Sequence, residues 1–200
     1  LVSFIPLSAA LSADSKIDEL LGLTQSAITQ SKNDSAAIYI TEAEKLILSE
    51  ENPTLKAKVV YWSGRTFYAL NNYLEADTKF EEAIDLAMLA GDTLLLADAY
   101  NDLGRTYKKR SEFSKALSAF NLARQYYFVL NNETGIAQVH LNVGNVLKSV
   151  GHNDLAKAEY WKALKIFKKN GDKNNEAGCY NNLGNIYKNE KNFKFRFNFF

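Results

Sequence analysis

Two hundred residues, 46% of them hydrophobic, are enough to bury a sizeable core and exclude wholesale disorder. A formal net charge of +1 argues against a general nucleic-acid binder. The single cysteine, Cys179, excludes an intrachain disulfide. With only His140 and His152 beside it, no dedicated zinc cage, and no cofactor, is expected. The charge is uneven: residues 1–100 hold 7 Lys/Arg and 15 Asp/Glu (net −8), and residues 101–200 hold 17 and 8 (net +9). That division fits either solvated faces of differing composition or two ends with different partners.

In chain order, residues 1–13 (LVSFIPLSAALSA) are uncharged, apolar and rich in small side chains. They predict the remnant of a signal peptide, with cleavage after Ala10 or Ala13, and an exported, periplasmic or cell-envelope location. An apolar helix capping a cytoplasmic protein is the other reading. The missing charged n-region and initiator Met suggest a fragment. Residues 14–52 read as a degenerate first helical hairpin. Residues 53–200 read as four further hairpins, about 54–91, 94–131, 134–171 and 174–200, the last truncated.

These boundaries come from internal repetition. Gly64, Gly104, Gly144 and Gly184 are spaced 40 apart. Ala76, Ala116 and Ala156 follow the first three by 12, and Phe80, Phe120 and Tyr160 follow them by 16. Tyr100, Leu103, Gly104 and Tyr107 share one helical stripe, which Tyr180, Leu183, Gly184 and Tyr187 repeat. The small residues let paired helices approach, and the aromatics fill the space beside them. Gly91-Asp92, Asn131-Asn132 and Gly171-Asp172 mark helix ends between hairpins, and Asn71-Asn72 marks one within a hairpin. The expected fold is all-α, an α-solenoid of stacked antiparallel hairpins.

The pattern aromatic-x2-Leu-Gly-x2-Tyr followed by Ala-x3-Phe resembles the tetratricopeptide repeat, whose usual period is about 34. The 40-residue period, with Met88, Phe128 and Lys168 in the column where the family commonly has Pro, is similar to the variant of kinesin light chains and MalT-like bacterial regulators. The resemblance implies a right-handed superhelix whose first helices line a concave, peptide-binding groove. The equivalent positions here are Arg65, Asn101, Arg105, Lys108, Asn145, Lys148, Asn181, Asn185 and Lys188. Asn can clasp a peptide backbone by donating and accepting together, and the cations favour carboxylates or phosphates. Ordinary solvated helix faces, copied by duplication, are the competing account of the same residues.

No phosphate loop, nucleophile elbow or zinc-protease motif is present, so an enzyme is not expected. His140 falls in the column of Val60, Tyr100 and Tyr180 and reads as a packing residue. Cys179 reads as a structural thiol, and His152 as a turn residue without a role. Tyr126, Tyr127 and Phe128 read as buried in the solenoid, and Trp62 borders the groove stripe. From Phe193 onward the aromatics alternate with period two, and Arg196 stands where the repeat has Ala. An uncapped end of this kind predicts self-association. The functional expectation is a non-catalytic scaffold for a protein or peptide partner, with membrane contact only through absent parts. The alternative is the sensor portion of a larger bacterial signalling protein, a histidine kinase or transcription regulator, whose output domain lies outside this sequence.

Overall fold

The structure, a computed structural model, describes the backbone of residues 12–197 and the side chains of residues 12–190. Most of the expected signal remnant, and residues 198–200 of the tail, lie outside the described residues. Among the described residues there are nine α-helices and no strand. They are α1 (Ala13–Thr29), α2 (Asn33–Ile47), α3 (Pro53–Ala69), α4 (Tyr73–Ala90), α5 (Thr93–Lys109), α6 (Phe113–Val129), α7 (Glu133–Ser149), α8 (Asn153–Lys169) and α9 (Lys173–Phe197). The chain divides into two compact units at residues 95 and 96.

The turns have a shared construction. Ser31, Asn71, Gly91, Ser111, Asn131, Gly151 and Gly171 all adopt positive φ, between 51° and 83°. After each, the next backbone N–H reaches back five residues to a helix carbonyl at 2.8–3.0 Å, which satisfies one of the acceptors left open at a helix end. The first helix of each later hairpin is then capped by a side chain. Asn52, Asp92, Asn132 and Asp172 accept from the N–H of Leu55, Leu95, Gly135 and Asn175 at 2.9–3.2 Å. Helices α2, α4, α6 and α8 have no such cap. Their position is set by the two-residue turn and by packing.

In the first unit, Ile17, Leu20 and Leu21 of α1 pack with Ile40, Ala43 and Ile47 of α2 and with Leu55 and Val59 of α3. Thr24, which stands where later repeats have glycine, is buried without cost because its hydroxyl donates to the Leu20 carbonyl at 2.8 Å. Gly64 of α3 faces the fully buried ring of Phe80 on α4. In the second unit the same seam recurs, Gly104 against Phe120 and Gly144 against Tyr160. Tyr127 joins three helices: its ring lies on Gly135 at the start of α7, and its hydroxyl donates to Asp98 on α5 at 2.6 Å. Burial, with Asp98 alongside, pushes that phenol far above its usual range.

The end of the chain departs from the repeat. Residue 191 holds the register position of Asn71, Ser111 and Gly151, yet α9 runs through it to Phe197 as one helix. The strand-like alternation of the tail does not produce a strand as far as residue 197.

Candidate functional site

The first helices of the second unit, α5, α7 and α9, bring their polar stripes together. Asn142 of α7 donates its amide to Asn101 of α5 at 2.9 Å, and both side chains are buried (7% and 8% exposed). One turn further, Asn182 of α9 donates to Asn145 of α7 at 3.3 Å, while Lys148 donates to Asn182 at 2.7 Å. Asn145 also accepts from the Tyr160 hydroxyl at 2.9 Å, which ties the stripe to the core seam. Asp102, buried on α5, holds Arg105 at 2.6 Å.

Cations gather beside this amide ladder. Burial lowers the pKa of Lys108, and the neighbouring charges of Lys109, Lys148 and Arg105 lower it further. Burial also lowers Lys148. Half-buried ammonium groups pressed on one another are stabilised by an added anion, which would reverse both effects. The arrangement can therefore bind a negatively charged group, with amides beside it to orient a backbone.

The structure thus joins Asn101, Arg105, Lys108, Asn145 and Lys148 in one place. Asn181, Asn185 and Lys188 are exposed on α9 and stand outside this network. Arg65 belongs to the first unit, where its guanidinium lies 4.5 Å from the Trp62 ring centroid. Sequence reasoning missed Asp102, Asn142 and Asn182, the column two residues before each glycine; Asn142 and Asn182 carry bonds between helices, and Asp102 holds Arg105 on its own helix. The column's polar recurrence at a 40-residue spacing was the available signal.

Other candidates sort as follows. His140 does more than pack: its Nδ1 donates to Glu159 of α8 at 2.6 Å, and Glu159 also pairs with Lys162 at 2.6 Å. Burial alone would raise the Glu159 carboxyl, but the hydrogen bonds from His140 and Lys162 hold it down to about 2. A depressed carboxylate contributes stability above its ordinary value of 4.5 and loses it as pH falls toward 2. Glu159→Gln is therefore expected to cost about 1 kcal/mol at neutral pH and nothing near pH 2. Melting temperatures of both proteins between pH 7 and pH 2 check this, and a constant gap would refute it.

Cys179 is buried, and burial pushes its thiol up to about 11, consistent with a structural role. Tyr126 stacks on Tyr100 at 5.8 Å and Tyr127 is buried. Tyr126 is only half-buried and Phe128 is 73% exposed, so the expectation of a buried aromatic run holds in full for Tyr127 alone. Among the described residues no cluster of metal-ligating side chains occurs, and no helix is long and apolar enough to cross a membrane.

Helical hairpins sealed by a glycine–aromatic seam, turned every 20 residues and capped every 40, define an α-solenoid repeat protein. The tetratricopeptide repeat family model matches residues 57–127. Over those residues the chain carries tetratricopeptide repeats. No curated protein matches it in sequence. Among solved structures, BtubC (BKLC) from P. vanneervenii superposes with a TM-score of 0.75 at 18% identity, covering 91% of this chain and 76% of that one. Aspartyl phosphate phosphatase F from Bacillus subtilis gives 0.80 at 16% identity, covering 95% and 50%. A Rap protein complexed with Competence and Sporulation Factor gives 0.81 at 17% identity, covering 92% and 52%. The chain spans about half the length of these last two proteins.

Proposed function

We propose that the chain is a non-catalytic interaction scaffold that binds an acidic peptide or protein segment along α5, α7 and α9. The observation that carries this reading is the convergence of Arg105, Lys108 and Lys148 beside the Asn101–Asn142 and Asn145–Asn182 amide pairs. A carboxylate placed there meets several cations at once, while the amides hold main-chain groups on either side. Two similar structures support the reading by what they contain: a Rap protein with Competence and Sporulation Factor, and a Rap conjugation gene regulator with the Phr* peptide.

A peptide array in which each acidic member is paired with its amide analogue tests this. Binding is expected to concentrate in acidic members and to weaken as salt rises. Lys148→Glu should weaken the retained acidic peptides about tenfold or more. Asn181→Ala should weaken those that extend along α9. Unchanged affinity of every retained peptide in Lys148→Glu would sink the assignment.

Coverage favours a second reading, in which the chain is the sensing portion of a longer signalling protein. It matches 28% of a Pyrococcus horikoshii signal-transduction ATPase whose tetratricopeptide repeats are described as its sensor. An exported location rests on residues 1–13. Mass spectrometry of the mature N-terminus, after expression of the full reading frame, tests it.

A further inference from the structure

The repeat breaks at one place in the interior of the second unit. Ile84 and Leu164 are buried on their second helices, but the same column holds Arg124 on α6, whose side chain turns out to solvent. The column of Val60, Tyr100 and Tyr180 holds His140 on α7. Glu159 stands on α8 where α6 has the buried Ala119. These three departures meet. Together with Asn121 they rim a cleft of about 150 Å³, and Leu117, Phe120, Val139 and Val143 form its apolar floor. Its walls are α6, α7 and α8, away from either end of the described chain.

The rim offers a cation and an acceptor. Arg124 spends one N–H on Asn121 at 2.8 Å, and a guanidinium has five. His140 commits Nδ1 to Glu159 at 2.6 Å, so only Nε2 is left to meet a group in the cleft. With its Nδ1–H donated to a carboxylate, an uncharged imidazole presents a lone pair at Nε2. Facing that imidazole are Glu159 and Lys162 of α8 and Arg124 of α6. Both oxygens of Glu159 are engaged, one by His140 and one by Lys162 at 2.6 Å. Its charge is thereby offset, and Arg124 is left as the rim's call for an anion. A space of this volume takes about six carbon-sized atoms.

We propose that this cleft binds a small 2-hydroxy carboxylate with a short branched aliphatic tail. The carboxylate meets Arg124 at the mouth, the 2-hydroxyl donates to Nε2 of His140, and the tail covers the floor of Leu117, Phe120, Val139 and Val143. The site uses none of Arg105, Lys108 or Lys148, so it stands or falls apart from the peptide-binding reading.

Isothermal titration of the full chain at pH 8 provides the test, with 2-hydroxyisovalerate as the probe. Saturable binding is expected. Isovalerate lacks the hydroxyl and 2-hydroxyisovaleramide lacks the charge, and each should bind about tenfold more weakly. Lactate, two carbons shorter in the tail, should lose about tenfold as well. Valine places an ammonium where the hydroxyl would be, beside a carboxylate already neutralised, and should bind more weakly than the hydroxy acid. Arg124→Gln alters an exposed side chain, leaves the fold intact, and should make the acid and its amide bind equally. Val143→Phe fills the cleft and should abolish binding, with melting curves to show that the fold is kept. The imidazole nitrogen resonances of His140 should move with the hydroxy acid and stay in place with isovalerate. Lys148→Glu should change none of these results. No saturable binding, equal or tighter binding of isovalerate or valine, or an acid preference that survives Arg124→Gln would each overturn the proposal.

Discussion

Phe120→Ala is expected to lower the stability of the second unit by about 3–5 kcal/mol. The ring has no exposed surface, and it is held between Ala116 and Ala123 on its own helix and the bare backbone of Gly104 opposite. Truncation removes its transfer free energy and leaves a cavity that a glycine wall cannot fill. The two tryptophans make the effect local and readable, because Trp62 lies in the first unit and Trp161 in the second. In single-tryptophan variants unfolded by urea, the Trp161 transition should move to lower denaturant, and the Trp62 transition should move less. Equal movement of both would mean that the chain unfolds as one cooperative block rather than in neighbouring repeats. A second substitution sharpens the test. Gly104→Ala should destabilise the parent, yet stabilise the Phe120→Ala background, where its methyl group enters vacated space.

That seam was legible in the sequence because it is carried by a fixed distance: glycine, then an aromatic 16 residues later, at three successive positions. Turns at Asn71, Gly91, Asn131 and Gly171 were legible for a local reason, since Gly and Asn tolerate the left-handed conformation. Ser31 and Ser111 adopt the same conformation and gave no such sign, because there the packed hairpin on either side imposes it. The caps at Asp92, Asn132 and Asp172 lay inside dipeptides read only as helix ends. Each dipeptide in fact ends one helix and starts the next. The proposed binding stripe was read in part. Position counting separates a groove face from a packing face, but Asp102, Asn142 and Asn182 sit between the two. Only the approach of neighbouring first helices shows that the side chains of Asn142 and Asn182 reach across. His140 was read from its column as a packing residue for a similar reason. Its partner Glu159 is 19 residues away on the next helix, a spacing with no local signature.

One substitution made at two equivalent positions should act with opposite sign. Gly144→Ala places a methyl group 2.6 Å from Cε1 of Tyr160, a fully buried ring whose hydroxyl is anchored on Asn145. The ring cannot withdraw without breaking that bond, so overpacking of about 1–3 kcal/mol should outweigh the gain in helix propensity, roughly 1 kcal/mol. The expected net result is a lower melting temperature and a weaker Asn145–Asn182 link, which also loosens the proposed peptide site. Gly184→Ala meets nothing within 4 Å among the described residues and gains the same propensity, so it should raise stability by about 0.5–1 kcal/mol. Thermal and urea unfolding of the two variants against the parent provide the comparison. A destabilised Gly184→Ala would show that the α9 face is covered in solution. If the loss appears only at high protein concentration and the parent sediments as a dimer, the cover is another copy. If it persists on dilution, the cover lies within the same chain. A stabilised Gly144→Ala would mean that the ring of Tyr160 can leave the seam, and the glycine column would then be dispensable to the packing of these hairpins.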